Sequence, residues 1–219
     1  MNQQVNKINL LKINRTGEAL KQNNMEFHYA ETCEDAVKIV EQLLTPGDTV
    51  AAGGSQTIKQ CGVLELLKSD KYKYFDRDAV SIDELEKLYR ASFSANAYIS
   101  STNAITENGE LYNVDGNSNR IAAIAFGPQS VIILAGYNKI VKNIDEAVAR
   151  VKSMSAPANA MRLNAATDCY ETGECSAAEC GMTDGCDSSD RICCNYLISA
   201  KQKHKNRIKV IIINEALGY

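Results

Sequence analysis

Six of the eight cysteines lie between Cys169 and Cys194, at Cys169, Cys175, Cys180, Cys186, Cys193 and Cys194. Their spacing is C-x5-C-x4-C-x5-C-x6-C-C, and Gly173, Gly181 and Gly185 fall between them. Glycine tolerates the left-handed turns that fold a loop back on itself, so such a segment can aim several sulfurs at one centre. Three chemistries fit: metal or iron–sulfur ligation, a redox-active pair, or incidental thiols in a loop. The remaining cysteines, Cys33 and Cys61, stand far away in sequence.

Compartment weighs on that choice. The chain begins MNQQVNKINL, with neither an apolar h-region nor a small-residue cleavage site, so the expectation is a cytoplasmic protein. No stretch approaches the ~18 apolar residues that span a bilayer, so no membrane partner is expected. Structural disulfides are rare in the cytoplasm, where clustered thiols point to metal or redox chemistry. No C-x-x-C is present, unlike most zinc ribbons.

Composition excludes other classes. Histidine occurs only at His28 and His204, so a mechanism built on a histidine pair is nearly excluded. Net charge is −3, and the single basic run, Lys201 to Lys205 with Arg207, is too short to suggest nucleic-acid binding.

Three polar loops carry further candidates. Gly53-Gly54-Ser55-Gln56-Thr57 joins a strand to a helix, and its N–H groups and hydroxyls suit phosphate or carboxylate, although it is neither a P-loop nor a G-x-G-x-x-G. A tight turn with Ser55 or Thr57 as helix cap is the plain alternative. The stretch from Ser100 to Gly109 holds Asn103 and one acid, Glu107, a candidate nucleophile or general base. Glu107-Asn108-Gly109 also reads as a hairpin turn, because Asn-Gly is the strongest short hairpin signal. In Asp115-Gly-Asn-Ser-Asn-Arg120, Asn119 and Arg120 are candidates, Arg120 as a bidentate clamp for a carboxylate or phosphate, with a surface or structural ion pair as the slightly favoured alternative. Gly127-Pro128 and Gly136 to Lys139 flank an apolar strand and are candidates to complete the pocket, with turn punctuation as the simpler reading.

The elements that must position these loops follow from hydrophobic periodicity. Helices are expected over Val5 to Gln22, from Thr32 through Leu44, over Thr57 to Lys68, from Ser81, and over Asn143 to Met154. Strands are expected over Met25 to Ala30, Asp48 to Ala52, Tyr72 to Phe75, Ala97 to Ser100, Gly109 to Val114, Ser130 to Leu134 and Arg207 to Ile213. This alternation predicts one α/β domain over 1–219, with a mostly parallel sheet and helices on both faces. Residues 169–194 form an irregular insertion before the last strand. In such sheets ligands bind beyond the carboxyl ends of the strands, so Ser55, Asn103, Glu107 and Arg120 are expected to converge on one site for a small anionic substrate.

Taken together, residues 51–57, 101–109, 117–120, 126–128 and 136–141 resemble the lactate-utilisation (LUD) domain family. The stretches Cys169-Tyr-Glu-Thr-Gly-Glu-Cys175 and Cys186-Asp-Ser-Ser-Asp-Arg-Ile-Cys193 look like its cysteine tail. The resemblance implies a three-layer α/β fold similar to the sugar-phosphate isomerase and CoA-transferase group. It also implies a role in oxidising L-lactate, or a related small carboxylate, to pyruvate with iron–sulfur partner proteins. By the same match Cys169, Cys175, Cys186 and Cys193 are the expected ligands of an iron–sulfur cluster or zinc. Departures from the pattern are the enlarged stretch 176–185, with Cys180, and the extra thiol of Cys194. Two further readings stand beside it: a CoA-transferase-like enzyme using Glu107 (or one acting on a small phosphorylated ligand), and a non-catalytic metal or iron–sulfur assembly protein. Homo-oligomerisation stays open.

Overall fold

The computed structural model describes residues 3–219; the first two residues of the expected 1–219 domain lie outside the described residues. The strands are β1 (Glu26–Ala30), β2 (Thr49–Ala52), β3 (Lys73–Phe75), β4 (Ala97–Ser100), β5 (Ala104–Thr106), β6 (Leu111–Asp115), β7 (Ser130–Gly136), β8 (Ile140–Val141), β9 (Asn195–Ser199) and β10 (Ile208–Ile213). The helices are α1 (Gln3–Gln22), α2 (Cys33–Leu43), α3 (Gln56–Gln60), α4 (Val63–Leu67), α5 (Ile82–Ala91), α6 (Asn119–Phe126), α7 (Ile144–Arg150), α8 (Ala156–Leu163) and α9 (Asp168–Thr172).

Six strands form a wholly parallel sheet in the order β1-β10-β7-β4-β2-β3. Its sequence cause is a run of β-branched residues buried on both sides, as parallel strands between helical layers require. Successive side chains point to opposite faces, and the core divides accordingly. Val131, Ile133, Val210 and Ile212 pack with Ile13 and Leu20 of α1 and Ala123 and Ile124 of α6. Ile132, Leu134, Ile211 and Ile213 pack with Ala36 and Val40 of α2 and Ile58, Val63 and Leu67 of α3 and α4. Each fully buried aliphatic side chain stabilises the fold by about 1.5–3 kcal/mol. The result is the expected three-layer α/β arrangement.

Four features differ from the sequence expectation. The strand expected over Gly109 to Val114 is not in the main sheet: β6 belongs to a second sheet, ordered β8-β5-β6-β9 and partly antiparallel. In that sheet β9, which follows the cysteine-rich segment, pairs with β6. The helix expected over Thr57 to Lys68 is broken in two, because Gly62 takes a left-handed conformation at φ 74°. The helix expected over Asn143 to Met154 passes into a π-helical turn at Val151–Ser155 before α8. Among the described residues, no helix is long and apolar enough to cross a membrane.

Candidate functional site

The strands β2, β4 and β7 are neighbours, so the loops leaving their carboxyl ends open onto a common space. There lies a cavity of about 570 Å³, lined among others by Gly54, Ser55, Thr57, Ser101, Asn103, Asn119, Arg120 and Lys139.

The loop after β2 is shaped by close approach. A Cβ at Gly53 would stand 2.9 Å from the Tyr98 hydroxyl and 3.0 Å from Ser100 Oγ, so only glycine fits beneath the cavity floor. Ser55 caps α3, its Oγ accepting from Ile58 N at 3.4 Å, which is the plain reading of that turn. Thr57 is fully buried and faces Lys139.

Arg120 is built into the protein. Its Nε donates to Asp115 Oδ1 at 2.8 Å. One terminal nitrogen donates to Ser101 O at 3.0 Å and Asn113 Oδ1 at 2.7 Å. The other donates to Asn103 Oδ1 and Val114 O, each at 2.9 Å. A guanidinium has five N–H donors, and all five are thereby directed at protein oxygens. Arg120 is thus a strut holding β6, α6 and the loop after β4 together, which is the structural ion pair that stood as the alternative to a substrate clamp. Beside it Ser118 starts α6 at φ 63°, a left-handed conformation uncommon outside glycine.

Glu107 is not at the cavity. It lies in the turn between β5 and β6, 3.1 Å from Arg15 Nη2 and 3.9 Å from Lys12 Nζ on α1. Gly109, at φ 78°, packs so tightly that a Cβ would stand 2.6 Å from the Ala19 carbonyl carbon of α1. Of the four residues expected to converge, Ser55, Asn103 and Arg120 do and Glu107 does not. The turn holds the hairpin against α1, and a sequence shows no sign of which side of a hairpin a turn carboxylate faces.

Lys139 belongs to a segment the sequence offered as completing the pocket, but its burial and role did not show there. Its side chain is 4% exposed. Its Nζ lies 3.0 Å from Thr57 Oγ1, 3.0 Å from Ser101 Oγ and 3.2 Å from Thr102 O. Burial, followed by the charges of Arg150 and Arg120, brings its ammonium down to about 7. The tail covers the group: Gly218, at φ 57°, sits where a Cβ would stand 2.6 Å from Thr57 Oγ1 and 3.4 Å from Lys139 Nζ. The only sequence signal was its place in Gly136-Tyr-Asn-Lys139, directly after the most apolar strand.

The rim is cationic. Arg77 lies over the Tyr89 ring at 5.7 Å and makes a long ion pair to Asp78 at 3.8 Å. Arg162 donates to Asn159 and the Tyr219 hydroxyl, and Arg191 to Thr183 O and Cys193 O. The cavity is lined by Arg77, Arg120, Lys139, Arg162 and Arg191 against the carboxylates of Asp115 and Asp190. Such an excess attracts small anions.

The four family-matched thiols line one place. Cys169, Cys175, Cys186 and Cys193 surround a small, apolar cleft of about 10 Å³ with Ala156, Thr167, Ser176 and Ile192. Burial pushes the Cys193 thiol up; Arg191 opposes this, and Cys186 and Cys175 add to it. The segment is anchored by Lys152 on the π-helical turn, whose Nζ donates to the carbonyls of Ala177, Cys180 and Gly181 at 2.6, 3.1 and 2.7 Å. Four thiols are the donor set of a structural zinc or an iron–sulfur cluster. In position, however, no three His, Cys, Asp or Glu side chains among the described residues could hold one metal ion. The fit is therefore in donor type and enclosure, with the sulfurs standing around the cleft and not drawn onto a shared point. Cys180 and Cys194 are exposed and do not line it. Cys193 and Ile192 line both the cleft and the anion-attracting cavity, so the two share a wall. Elsewhere, Cys33 and Cys61 meet at 3.0 Å between sulfurs, a contact their separation in sequence conceals.

The profile of the LUD domain matches residues 13–213. The chain belongs to the LUD domain family. In that coarse sense it is a lactate-utilisation-related protein. Among solved structures, a DUF162 family protein from Deinococcus radiodurans is similar at 13% identity and TM-score 0.52, with 94% of this chain and 98% of that one covered. At that identity the likeness supports the fold alone. The eIF2B delta subunit from Chaetomium thermophilum aligns at 19% identity and TM-score 0.35, over 51% of this chain and 49% of that one. No curated protein matches the chain.

Proposed function

We propose that this LUD-domain protein is a cytoplasmic component of L-lactate oxidation to pyruvate, binding the small carboxylate in the cavity beyond β2, β4 and β7. The observation that carries this reading is the cationic lining of that cavity, where Arg77, Arg162 and Arg191 face a single carboxylate, Asp190, outside the Arg120–Asp115 pair. The Arg120–Asp115 pair neutralises itself and shapes the floor. Ser101, Thr57 and Asn119 supply polar groups for a hydroxyl or a second oxygen.

Once drawn inward from their places around the cleft, Cys169, Cys175, Cys186 and Cys193 would hold the metal centre, and iron–sulfur partner proteins would take up the electrons. An iron–sulfur cluster there supplies one-electron transfer; zinc supplies only a tie for the segment. The wall shared through Cys193 and Ile192 supports a link between the two regions. The CoA-transferase-like reading needs Glu107 beside the substrate, and Glu107 instead pairs with Arg15 and Lys12 on α1.

Calorimetric titration with L-lactate, pyruvate and inorganic phosphate tests the proposal. Saturable binding of either carboxylate, weakened tenfold or more in Arg77→Ala, is expected. Binding of phosphate alone would replace the carboxylate with a phosphorylated ligand.

A further inference from the structure

Lys139 is the most unusual group in the cavity: an amine enclosed by protein, facing a space that attracts anions, and held between two hydroxyls. An ammonium engaged only in structure needs acceptors. This one has them in Thr57 Oγ1, Ser101 Oγ and Thr102 O, but two of the three are hydroxyls that can turn and donate. The same cage therefore accommodates the neutral amine, with one hydroxyl proton directed at its lone pair. Arg120 and Arg150 act on it as positive charges, Cys61 acts in the opposite sense, and no carboxylate is among its direct hydrogen-bond partners. Desolvation beside other cations is a recognised way of making a lysine nucleophilic toward carbonyl groups.

We propose that Lys139 condenses with the ketone of a small 2-oxo acid bound in the cavity to form an imine. This deepens the carboxylate reading of the same cavity and rests on it. The neutral amine adds to the carbonyl carbon, the C–O π electrons move to oxygen, and the oxygen is protonated to give a carbinolamine. One amine proton reaches that oxygen through the Ser101 and Thr57 hydroxyls as the carbinolamine forms, the second follows as the oxygen leaves as water, and the C=N bond remains. No electrons are exchanged and no co-reactant is required. The rim guanidinium groups of Arg77 and Arg162 are available to the carboxylate. An amine with its proton affinity brought down to about 7 has a large neutral fraction at physiological pH.

The test is reductive trapping. The parent protein is incubated with pyruvate and sodium cyanoborohydride, digested and mapped by mass spectrometry, with pyruvate binding followed by calorimetry. A single reduced adduct on Lys139 is expected. Its yield should rise severalfold between pH 6 and pH 8, and no adduct should form with L-lactate, which lacks a ketone. Lys139→Arg keeps the charge and should form none; if that variant does not fold, the peptide map of the parent decides. Pyruvate binding with no adduct, or with adduct only on other lysines, overturns the imine and leaves the carboxylate cavity standing. Binding of neither pyruvate nor L-lactate overturns both.

Discussion

Arg120 and Asp115 close to 2.6 Å at the cavity floor, with 14% and 11% of their side chains exposed. Asp115 also accepts from Ile121 N at 3.0 Å, so one carboxylate fixes the arginine and the first turn of α6 together. Removing one member of a buried, hydrogen-bonded pair strands the other charge and costs about 3–5 kcal/mol. Asp115→Ala should lower stability by that order, read as a shift in the denaturant midpoint. A loss below about 1 kcal/mol would show that the pair does not hold the floor.

Glu107 gives the opposite expectation. Its partners, Arg15 and Lys12, are half-exposed, and such pairs contribute about 0.2–1 kcal/mol. Glu107→Gln should leave thermal stability nearly unchanged and carboxylate affinity in the cavity unaltered. A tenfold fall in affinity would return Glu107 to the site.

The main sheet was readable because parallel strands buried on both faces are written as apolar runs, such as Ser130 to Leu134 and Ile208 to Ile213, between amphipathic helices. The second sheet was not. β5 has three residues and β8 two, too few for a period to show, and β9 is separated from its partner β6 by some 80 residues. The cavity was half legible. Ser55, Asn103 and Arg120 stand where polar loops follow strands, but the roles of Arg120 and Lys139 depend on tertiary neighbours. Arg120 has its donors filled by Asp115, Asn113, Asn103 and two carbonyls, whereas Lys139 is set by burial and two arginines. Burial of one lysine among 24 cationic residues leaves no local trace in sequence.

Lys139 should also mark the pH dependence of stability. Its folded value, about 7, lies below the ordinary lysine value of 10.5. Between those limits the unfolded chain binds more protons than the folded one, so stability rises with pH, by at most about 1.4 kcal/mol per pH unit for one group. The penalty for burying the charge is fully present below pH 7 and relieved toward pH 10. Lys139→Met should flatten that part of the profile and be relatively more stable at pH 6. Parallel profiles for variant and parent, from chemical denaturation at each pH, would show that the amine is not desolvated.

The cysteine cleft yields the last prediction. If Cys169, Cys175, Cys186 and Cys193 hold a metal centre, anaerobic protein should contain stoichiometric zinc, or iron with acid-labile sulfide. Cys175→Ser should lose most of it, because this thiol lines the cleft. Cys194→Ser should retain it: Cys194 is exposed and its sulfur faces Arg191 O at 3.1 Å, outside the cleft. Lys152→Met provides an independent check. It leaves every thiol in place but removes the ammonium that gathers the carbonyls of Ala177, Cys180 and Gly181. Hydrogen exchange should then quicken across 176–182, and metal affinity should fall, since the sulfurs must be brought inward from a less ordered segment before they can ligate. Full metal retention in both Cys175→Ser and Lys152→Met would mean that the cleft is packing between thiols and holds no metal.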